Sequence, residues 1–348
     1  MSGQYGSIYP IFRSEVNPNM KAILIQNDEK RSLVWSDVPD PVMAEDECLI
    51  KIEAAGINRA DLMQREGNYP PPPGCPEWMG LEISGTVVKV GTIAAQEAGW
   101  TPGDKVCALL GGGGYVEYVS VRYDMLMPVP ANCTMTEAAA LPEAFATSYL
   151  NLFTEGNIRA GDTLLVTAGA SGLASVMIPL AKSFGIRVIT TVRKDEQVEK
   201  ICPLGADVIV NTRTQDLAEV LKEELDAGHG VDVAIDCLGG ETMGRCLPYL
   251  NRGARWIMIA SLAGALTEVD LKNIFVRNIR IIGSTLRSRT PEVKAALLAD
   301  LVKNVWPKVE SGEVRPTICR VLSITEAEAA QNLLYQGQNI GKVVLTVE

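Results

Sequence analysis

The strongest candidate for chemistry in this chain is a turn of small residues between an apolar strand and a helix. The segment Thr163–Ala174 places Gly169, Ser171 and Ala174 at the three small-residue positions of the GxGxxG pattern. These positions form a tight turn, admit a pyrophosphate close to the backbone and pack the helix on the strand. Ser171 replaces a glycine, so its side chain must point away from the phosphates or towards a nicotinamide. Together with the strand and helix units that follow, the turn predicts a dinucleotide site, although similar turns also merely join a strand to a helix.

A pair of basic residues follows the next strand. Arg193 and Lys194 come first, and the first carboxylate, Asp195, stands after both and is expected to cap the next helix. At this point of such a fold an acidic residue binds the ribose 2′-hydroxyl of NAD, whereas a basic residue accepts the 2′-phosphate of NADP. Thr212 and Arg213, after the third strand, can reach the same pocket. The sequence therefore favours NADPH, against the alternative that the basic pair consists of solvated loop charges.

Histidine and cysteine exclude several other chemistries. His229 is the only histidine, whereas most hydrolytic triads and most catalytic zinc sites need a well-placed imidazole. It stands between two glycines, where a surface loop is expected. The eight cysteines form no CxxC pair, so a zinc ribbon and a thioredoxin-type redox pair are excluded. Scattered thiols indicate a reducing compartment, and residues 1–19 have no apolar core typical of a secretory signal, so we expect a cytoplasmic protein.

Length and charge restrict the class of protein and its partners. The chain of 348 residues is long enough for about two domains. Its hydrophobic and charged fractions, 47% and 21%, are those of a globular protein. The formal net charge of −10 opposes binding to nucleic acid or to an anionic membrane, because both are bound mainly through excess positive charge.

Strand and helix patterns divide the chain into two parts. The first part has short strands separated by glycine and proline, which predicts a compact β-rich domain. Strands then alternate with helices, which predicts parallel strands, crossover helices and a doubly wound sheet. The last helix and strand are expected to rejoin the first domain. The fold class is therefore α/β, with an N-terminal extension at 1–19, a β-rich domain at 20–143 and 285–348, and a dinucleotide-binding domain at 144–284.

Six segments together resemble a known family. They are Gly56–Pro73, Gly80–Gly85, Leu141–Phe145, Ala168–Gly172, Asp236–Gly240 and Gly341–Leu345. From about Met20 to the C-terminus the chain resembles the zeta-crystallin-like quinone oxidoreductases of the medium-chain dehydrogenase/reductase superfamily. The resemblance implies a GroES-like catalytic domain split around a Rossmann domain. It also implies NADPH as hydride donor and a metal-free site in the cleft between the domains.

The zinc-dependent alcohol dehydrogenases share this superfamily, so their ligand positions can be compared with this chain. Their first cysteine corresponds to Asn58, with Asp61 three residues later, their Gly-His-Glu corresponds to Gly80-Leu81-Glu82, and their third cysteine falls near Glu143. No soft or imidazole ligand is present at these positions, so we expect no metal. A quinone is already electrophilic and becomes aromatic on accepting hydride, whereas oxidation of an alcohol needs its alkoxide stabilised.

The predicted catalytic residues are polar side chains expected in the cleft. Tyr69 precedes the prolines 70–73, whose fixed φ angles should hold a stiff rim over the nicotinamide. Its phenol could hydrogen-bond a substrate carbonyl and help to protonate the reduced oxygen, or it could simply pack on the prolines. Asn58 and Asp61 are candidates for substrate orientation, or they hydrogen-bond a turn. The predicted cofactor-binding residues are Thr147, Gly169, Ser171, Gly172, Leu173, Ala174, Thr191, Arg193, Lys194, Thr212, Arg213, Cys237 and Lys342.

The function predicted is NADPH-dependent transfer of hydride to quinones. Reduction of the activated double bond of an alkenal or enone needs the same kind of pocket, and a non-enzymatic NADPH-binding protein is a third reading. A homodimer is expected through the strand at 279–283, because the chain leaves the dinucleotide-binding domain just after it. Pairing of this apolar edge with its own copy across a twofold axis would satisfy its backbone groups.

Overall fold

The computed structural model describes residues 20–348, and the extension predicted at residues 1–19 lies outside this range. The strands are β1 (Met20–Ile25), β2 (Leu33–Val38), β3 (Glu47–Gly56), β4 (Glu82–Val90), β5 (Lys105–Leu109), β6 (Tyr118–Arg122), β7 (Leu126–Pro128), β8 (Thr163–Val166), β9 (Arg187–Val192), β10 (Val208–Asn211), β11 (Val231–Asp236), β12 (Leu250–Met258), β13 (Arg280–Gly283), β14 (Ile318–Ser323) and β15 (Lys342–Thr346). The α-helices are α1 (Arg59–Arg65), α2 (Thr92–Glu97), α3 (Met135–Ala138), α4 (Pro142–Tyr149), α5 (Ala174–Ser183), α6 (Asp195–Ile201), α7 (Leu217–Asp226), α8 (Thr242–Cys246), α9 (Leu271–Arg277), α10 (Pro291–Asn304), α11 (Trp306–Glu310) and α12 (Ala327–Tyr335).

Strands from the first and the last part of the described chain form one mixed sheet. Its strand order is β14-β15-β3-β4-β5-β7, with β6 on β3, and β1 and β2 form a separate antiparallel pair. In β3 the side chains of Cys48, Ile50, Ile52 and Ala54 are at most 1% exposed, which is the period of two that buries one face of a strand. The C-terminal strand β15 pairs with β3 in antiparallel register, so the chain returns to the first domain.

The second sheet is entirely parallel. Its order is β10-β9-β8-β11-β12-β13, which is the 3-2-1-4-5-6 order of the Rossmann fold. All four residues of the central strand β8 are buried, as expected when helices cover both faces. The predicted doubly wound sheet is confirmed. The strand order reverses direction between β8 and β11, where such sheets bind their ligands.

Helix α4 joins the two sheets. It begins with Pro142 in its first turn, where a proline is well accommodated, so the domain boundary drawn at residue 144 falls inside this helix. A π-helical turn, Leu150–Glu155, continues it. Phe145 packs edge-on against Trp306 at a centroid distance of 6.2 Å, and one apolar cluster runs from the first sheet to β8. The same helix places Glu143 and Thr147 at the junction.

No helix among residues 20–348 is long and apolar enough to cross a membrane.

Candidate active site

The turn after β8 has the backbone strain of a functional loop. Ala168 has a φ of 57°, a left-handed conformation that is uncommon for residues other than glycine. Its N–H donates to Thr191 Oγ1 at 3.1 Å, and the N–H of Gly169 donates to the Thr191 carbonyl at 2.7 Å. A Cβ on Gly169 would lie 2.5 Å from Thr190 Oγ1. Gly169 is therefore needed for close packing, while Ala168 makes the left-handed turn.

Two predicted cofactor contacts serve the turn itself. Ser171 Oγ accepts a hydrogen bond from the Ala174 N–H at 3.1 Å, so this side chain is held at the start of α5. Thr191 is buried, and its hydroxyl holds Ala168. Gly172 and Leu173 complete the turn before α5.

The carboxyl ends of β11, β12 and β13 form the other half of this crevice. Cys237 follows β11, and its N–H donates to Thr167 Oγ1 at 3.1 Å. Burial raises the pKa of the Cys237 thiol. A hollow of about 390 Å³ lies beyond β12 and β13. It is bordered by Ser284, whose buried Oγ has no hydrogen-bond partner among the described residues. An orphaned hydroxyl at the carboxyl ends of the parallel strands fits a dinucleotide that would bind at this end of the sheet.

The residues expected to select the adenosine half lie on the surface beside β9 and β10. Arg193 and Arg213 are exposed, and neither guanidinium makes a hydrogen bond or ion pair with residues 20–348. Thr212 and Lys194 are also exposed; the Lys194 ammonium lies 3.6 Å from Glu196.

The expected helix cap at Asp195 is wrong. Lys194 occupies the N-cap position of α6 with extended backbone. The Asp195 carboxylate instead accepts from Asn211 Nδ2 at 2.6 Å, a contact between α6 and the end of β10 that sequence spacing cannot show. Asp195, the nearest carboxylate, is thus already hydrogen-bonded. Arg193 and Arg213 are the charged side chains of this surface that have no partner among the described residues.

A buried polar network stands between the turn and the first sheet. Lys342 is 3% exposed, and its ammonium lies 2.5 Å from Glu82, 2.6 Å from Asn58 Oδ1 and 3.1 Å from the Ile57 carbonyl. Asn58 Nδ2 donates to the same Glu82 oxygen at 2.9 Å. The ammonium of Lys342 is therefore held by this network. Its methylene chain lies against the turn after β8, with Cδ 3.1 Å from a Cβ placed on Gly172.

Asp61 is the second acid of this region and is fully buried. Its carboxylate accepts from the N–H of Asn58 at 2.8 Å, the N–H of Gly80 at 3.0 Å and the hydroxyl of Tyr115 at 2.9 Å. Burial raises its pKa to about 6, although these hydrogen bonds oppose the shift. The structure thus gives Asp61 the turn-bonding role that was the alternative to substrate orientation.

Tyr69 forms the rim of the cleft with Arg287. The guanidinium carbon of Arg287 lies 4.8 Å from the centre of the Tyr69 ring. Arg287 is fixed in turn by the carbonyls of Gly111 and Tyr69, at 2.8 and 3.2 Å, and by Gln64 Oε1 at 2.7 Å. Burial raises the pKa of the Tyr69 phenol, with Arg287 opposing the shift and Glu143 adding to it. The phenol keeps its proton and remains a hydrogen-bond donor.

Glu143 was considered from the sequence only as a lost metal ligand. Its N–H donates to Glu82 Oε2 at 2.9 Å, and its own carboxyl meets only Thr147 Oγ1, at 3.5 Å, among the described residues. Burial raises its pKa to about 7, and the charge of Glu82 adds to the shift. The four-residue spacing of Glu143 and Thr147 could have predicted their contact, because such residues are neighbours on a helix. The pairing of Glu82 with Lys342 could not be predicted, because the two residues are far apart in the sequence.

The remaining candidates lie outside this constellation. His229 is exposed, with Nδ1 3.7 Å from Glu224 on α7. Within residues 20–348 no group of three or more histidine, cysteine, aspartate or glutamate side chains is arranged to hold a metal ion. Leu81, at the position of the histidine ligand, is 1% exposed and apolar.

Comparisons with known proteins agree with this architecture. The family described as "Alcohol dehydrogenase GroES-like domain" matches residues 44–131, and that described as "Zinc-binding dehydrogenase" matches residues 172–303. A quinone oxidoreductase-like protein 2 homolog of Nematostella vectensis is 28% identical over 91% of this chain and 89% of its own length. Quinone oxidoreductase of Mus musculus is 27% identical over 89% of this chain and 92% of its own length.

A solved mycobacterial structure in complex with NADPH is 26% identical, with a TM-score of 0.80, and covers 94% of this chain and 100% of its own. The predicted GroES-like and Rossmann domains are thereby confirmed. The strand order, the strained turn after β8 and these matches lead to one conclusion. The chain is an oxidoreductase that belongs to the medium-chain dehydrogenase/reductase superfamily.

Proposed function

We propose that this protein transfers hydride from NADPH to quinones without a metal ion. This proposal rests on the ion pair and hydrogen bonds among the buried polar groups beside the turn after β8. Asn58 stands where the first zinc ligand is expected, and its amide is engaged with Glu82 and Lys342. A lysine ammonium neutralises the buried carboxylate that would otherwise attract a cation. Such a site suits an electrophilic acceptor that needs no Lewis acid.

The chain's own residues bind and orient the acceptor. NADPH, when bound, supplies the hydride. The turn at Ala168–Gly172 would hold its phosphates, and the hollow beside Ser284 would take its nicotinamide. Tyr69 donates a hydrogen bond to the acceptor carbonyl, and Arg287 stiffens the ring from its other side.

NADPH is favoured over NADH because Arg193 and Arg213 are exposed and free of ion pairs with described residues. Charge-assisted hydrogen bonds to a 2′-phosphate contribute roughly 1.5–3 kcal/mol each. Replacing Arg193 and Arg213 together by alanine should therefore weaken NADPH binding about 10-fold or more in a fluorescence titration while leaving NADH binding unchanged. Equal losses for both cofactors would show that the pair acts only through the structure.

An acceptor panel tests the proposed reaction. Benzoquinones, naphthoquinones, alkenals and enones are each incubated with the protein and NADPH, and consumption of NADPH and the products are measured, with and without a chelator. Turnover of quinones that resists the chelator supports the proposal. Turnover of enones alone would replace quinones as the acceptor class. Tight NADPH binding with no turnover of any acceptor would favour the non-enzymatic reading.

The proposed assembly is a homodimer formed through β13. This strand is at the edge of the parallel sheet, and Ile281 on it is 43% exposed. Helix α9 beside it exposes Leu271 and Phe275, at 70% and 69%. Pairing with a second copy would cover these apolar groups and the open backbone edge. Sedimentation at micromolar concentration should show twice the mass of the 37.5 kDa chain; a monomer at every concentration would reject this assembly.

All eight cysteines are free thiols, and we propose the cytoplasm as the reducing compartment in which they persist.

A further inference from the structure

Glu143 is a partly buried carboxyl group to which the proposed reaction assigns no role. It occupies the second position of α4, one turn before Thr147, and is near enough to Tyr69 for its charge to raise the pKa of that phenol. The neighbouring acid, Glu82, is compensated by the ammonium of Lys342 and by two N–H donors. Glu143 has no such compensation, since its carboxyl makes only the 3.5 Å contact with Thr147 among the described residues. One of its oxygens is therefore left for a group in the cleft.

The charges around Glu143 keep its proton available near neutral pH. Burial is the main cause of its raised pKa of about 7. Of the neighbouring acids, Glu82 on β4 and Asp61 on α1 raise this pKa, whereas the ammonium groups of Lys342 on β15 and Lys294 on α10 lower it. Tyr69, on the loop after α1, is the other titratable neighbour. An acid is most effective when its pKa lies near the working pH.

We propose that Glu143 is the catalytic acid that delivers the proton to the reduced acceptor. This inference rests on the proposed function. A hydride ion carries two electrons and one proton to the quinone, and the resulting hydroquinone monoanion needs one more proton. The O–H bond of the Glu143 carboxyl breaks and a new O–H bond forms on the acceptor oxygen that Tyr69 holds. The carboxylate then regains a proton from water, and the oxidised nicotinamide cofactor leaves.

Glu143→Gln tests the role because glutamine keeps the shape and hydrogen-bonding capacity but has no acidic proton. Its turnover should fall about 100-fold, with NADPH affinity unchanged. Wild-type turnover should decline as the pH rises through about 7, where Glu143 loses its proton, and this decline should vanish in the variant. Glu199→Gln, at an exposed position of α6, is the matched control. Glu143→Asp, which retains an acid, should recover part of the turnover and the pH dependence.

A series of benzoquinones separates proton delivery from a structural effect. The loss caused by Glu143→Gln should shrink as the pKa of the hydroquinone falls, because a weaker base needs less help from an acid. A uniform loss across the series, or wild-type turnover and pH dependence in the variant, would overturn the assignment. Failure of the wild type with every quinone would instead reject the proposed function. The unfolding midpoint of each variant shows whether it is folded. If Glu143→Gln does not fold, the pH dependence of turnover in Glu143→Asp tests the assignment instead, and a variant that keeps full turnover with no decline near pH 7 would overturn it.

Discussion

The pair formed by Lys342 and Glu82 should be one of the most sensitive points of the fold. The partners are 3% and 0% exposed, and Lys342 also serves Asn58 Oδ1 and the Ile57 carbonyl. Removing one partner of a buried ion pair leaves an uncompensated charge and costs about 3–5 kcal/mol. Lys342→Met should therefore lower the free energy of unfolding by roughly this amount, a large share of the about 5–15 kcal/mol that stabilises a typical protein.

Urea unfolding followed by tryptophan fluorescence measures this loss. Lys182→Met is the matched control, because its ammonium pairs with Asp207 at 2.8 Å but the side chains are 34% and 27% exposed, and a partly exposed pair contributes about 0–1 kcal/mol. Adding Glu82→Gln to Lys342→Met removes the stranded charge and should recover at least half of the loss. A loss below about 1 kcal/mol, or no recovery in the double variant, would refute the claim that this network holds the site together.

Three further outcomes are expected. As the pH rises from about 4 to 6, the wild type should lose on the order of 3 kcal/mol of stability relative to Asp61→Asn, because burial raises the pKa of the Asp61 carboxyl in the folded protein to about 6 and the unfolded chain loses this proton at lower pH. Parallel curves of stability against pH for the two proteins would contradict this. Gly169→Ala should weaken NADPH binding at least about 10-fold in a fluorescence titration, because its Cβ would lie 2.5 Å from Thr190 Oγ1; unchanged affinity would show that the turn can relax. Arg287→Met should raise the KM for quinones more than it lowers kcat, because the Tyr69 ring loses the guanidinium that packs against it. The same KM in the variant and the wild type would show that Tyr69 and Arg287 do not contribute to substrate binding.

The Rossmann part of the fold was predictable because its signals are local. A buried strand, a small-residue turn and a helix follow one another directly from Thr163 to Ser183, and alternating units of this kind have few arrangements. The purpose of individual turn residues was less predictable. Gly169 is required by the side chains of Thr190 and Ile201, which come from the next strand and helix, and the left-handed backbone falls on Ala168.

The polar network was beyond prediction because its members are distant in sequence. Lys342 lies in a segment near the C-terminus that carries the family resemblance, and its ammonium contacts Glu82 and Asn58, which are more than 250 residues away in the sequence. The turn that Asn58 and Asp61 share was foreseen only as the alternative to substrate orientation, and the hydrogen bond from Tyr115 to Asp61 depends on tertiary packing. Glu143 gained its chemical interest only from its partly buried place near Glu82, because desolvation and the charge of Glu82 raise its pKa.

A single-turnover experiment tests metal-independent hydride transfer in this cleft most directly. Metal-stripped protein, confirmed by elemental analysis, is mixed with NADPH and then with a benzoquinone, and nicotinamide absorbance is followed in parallel with NADPH deuterated at the transferred position. The account predicts oxidation of one NADPH per quinone at the same rate with or without added zinc, and a slower rate with the deuterated cofactor. Oxidation only after zinc is restored, or no oxidation by any quinone, would contradict it.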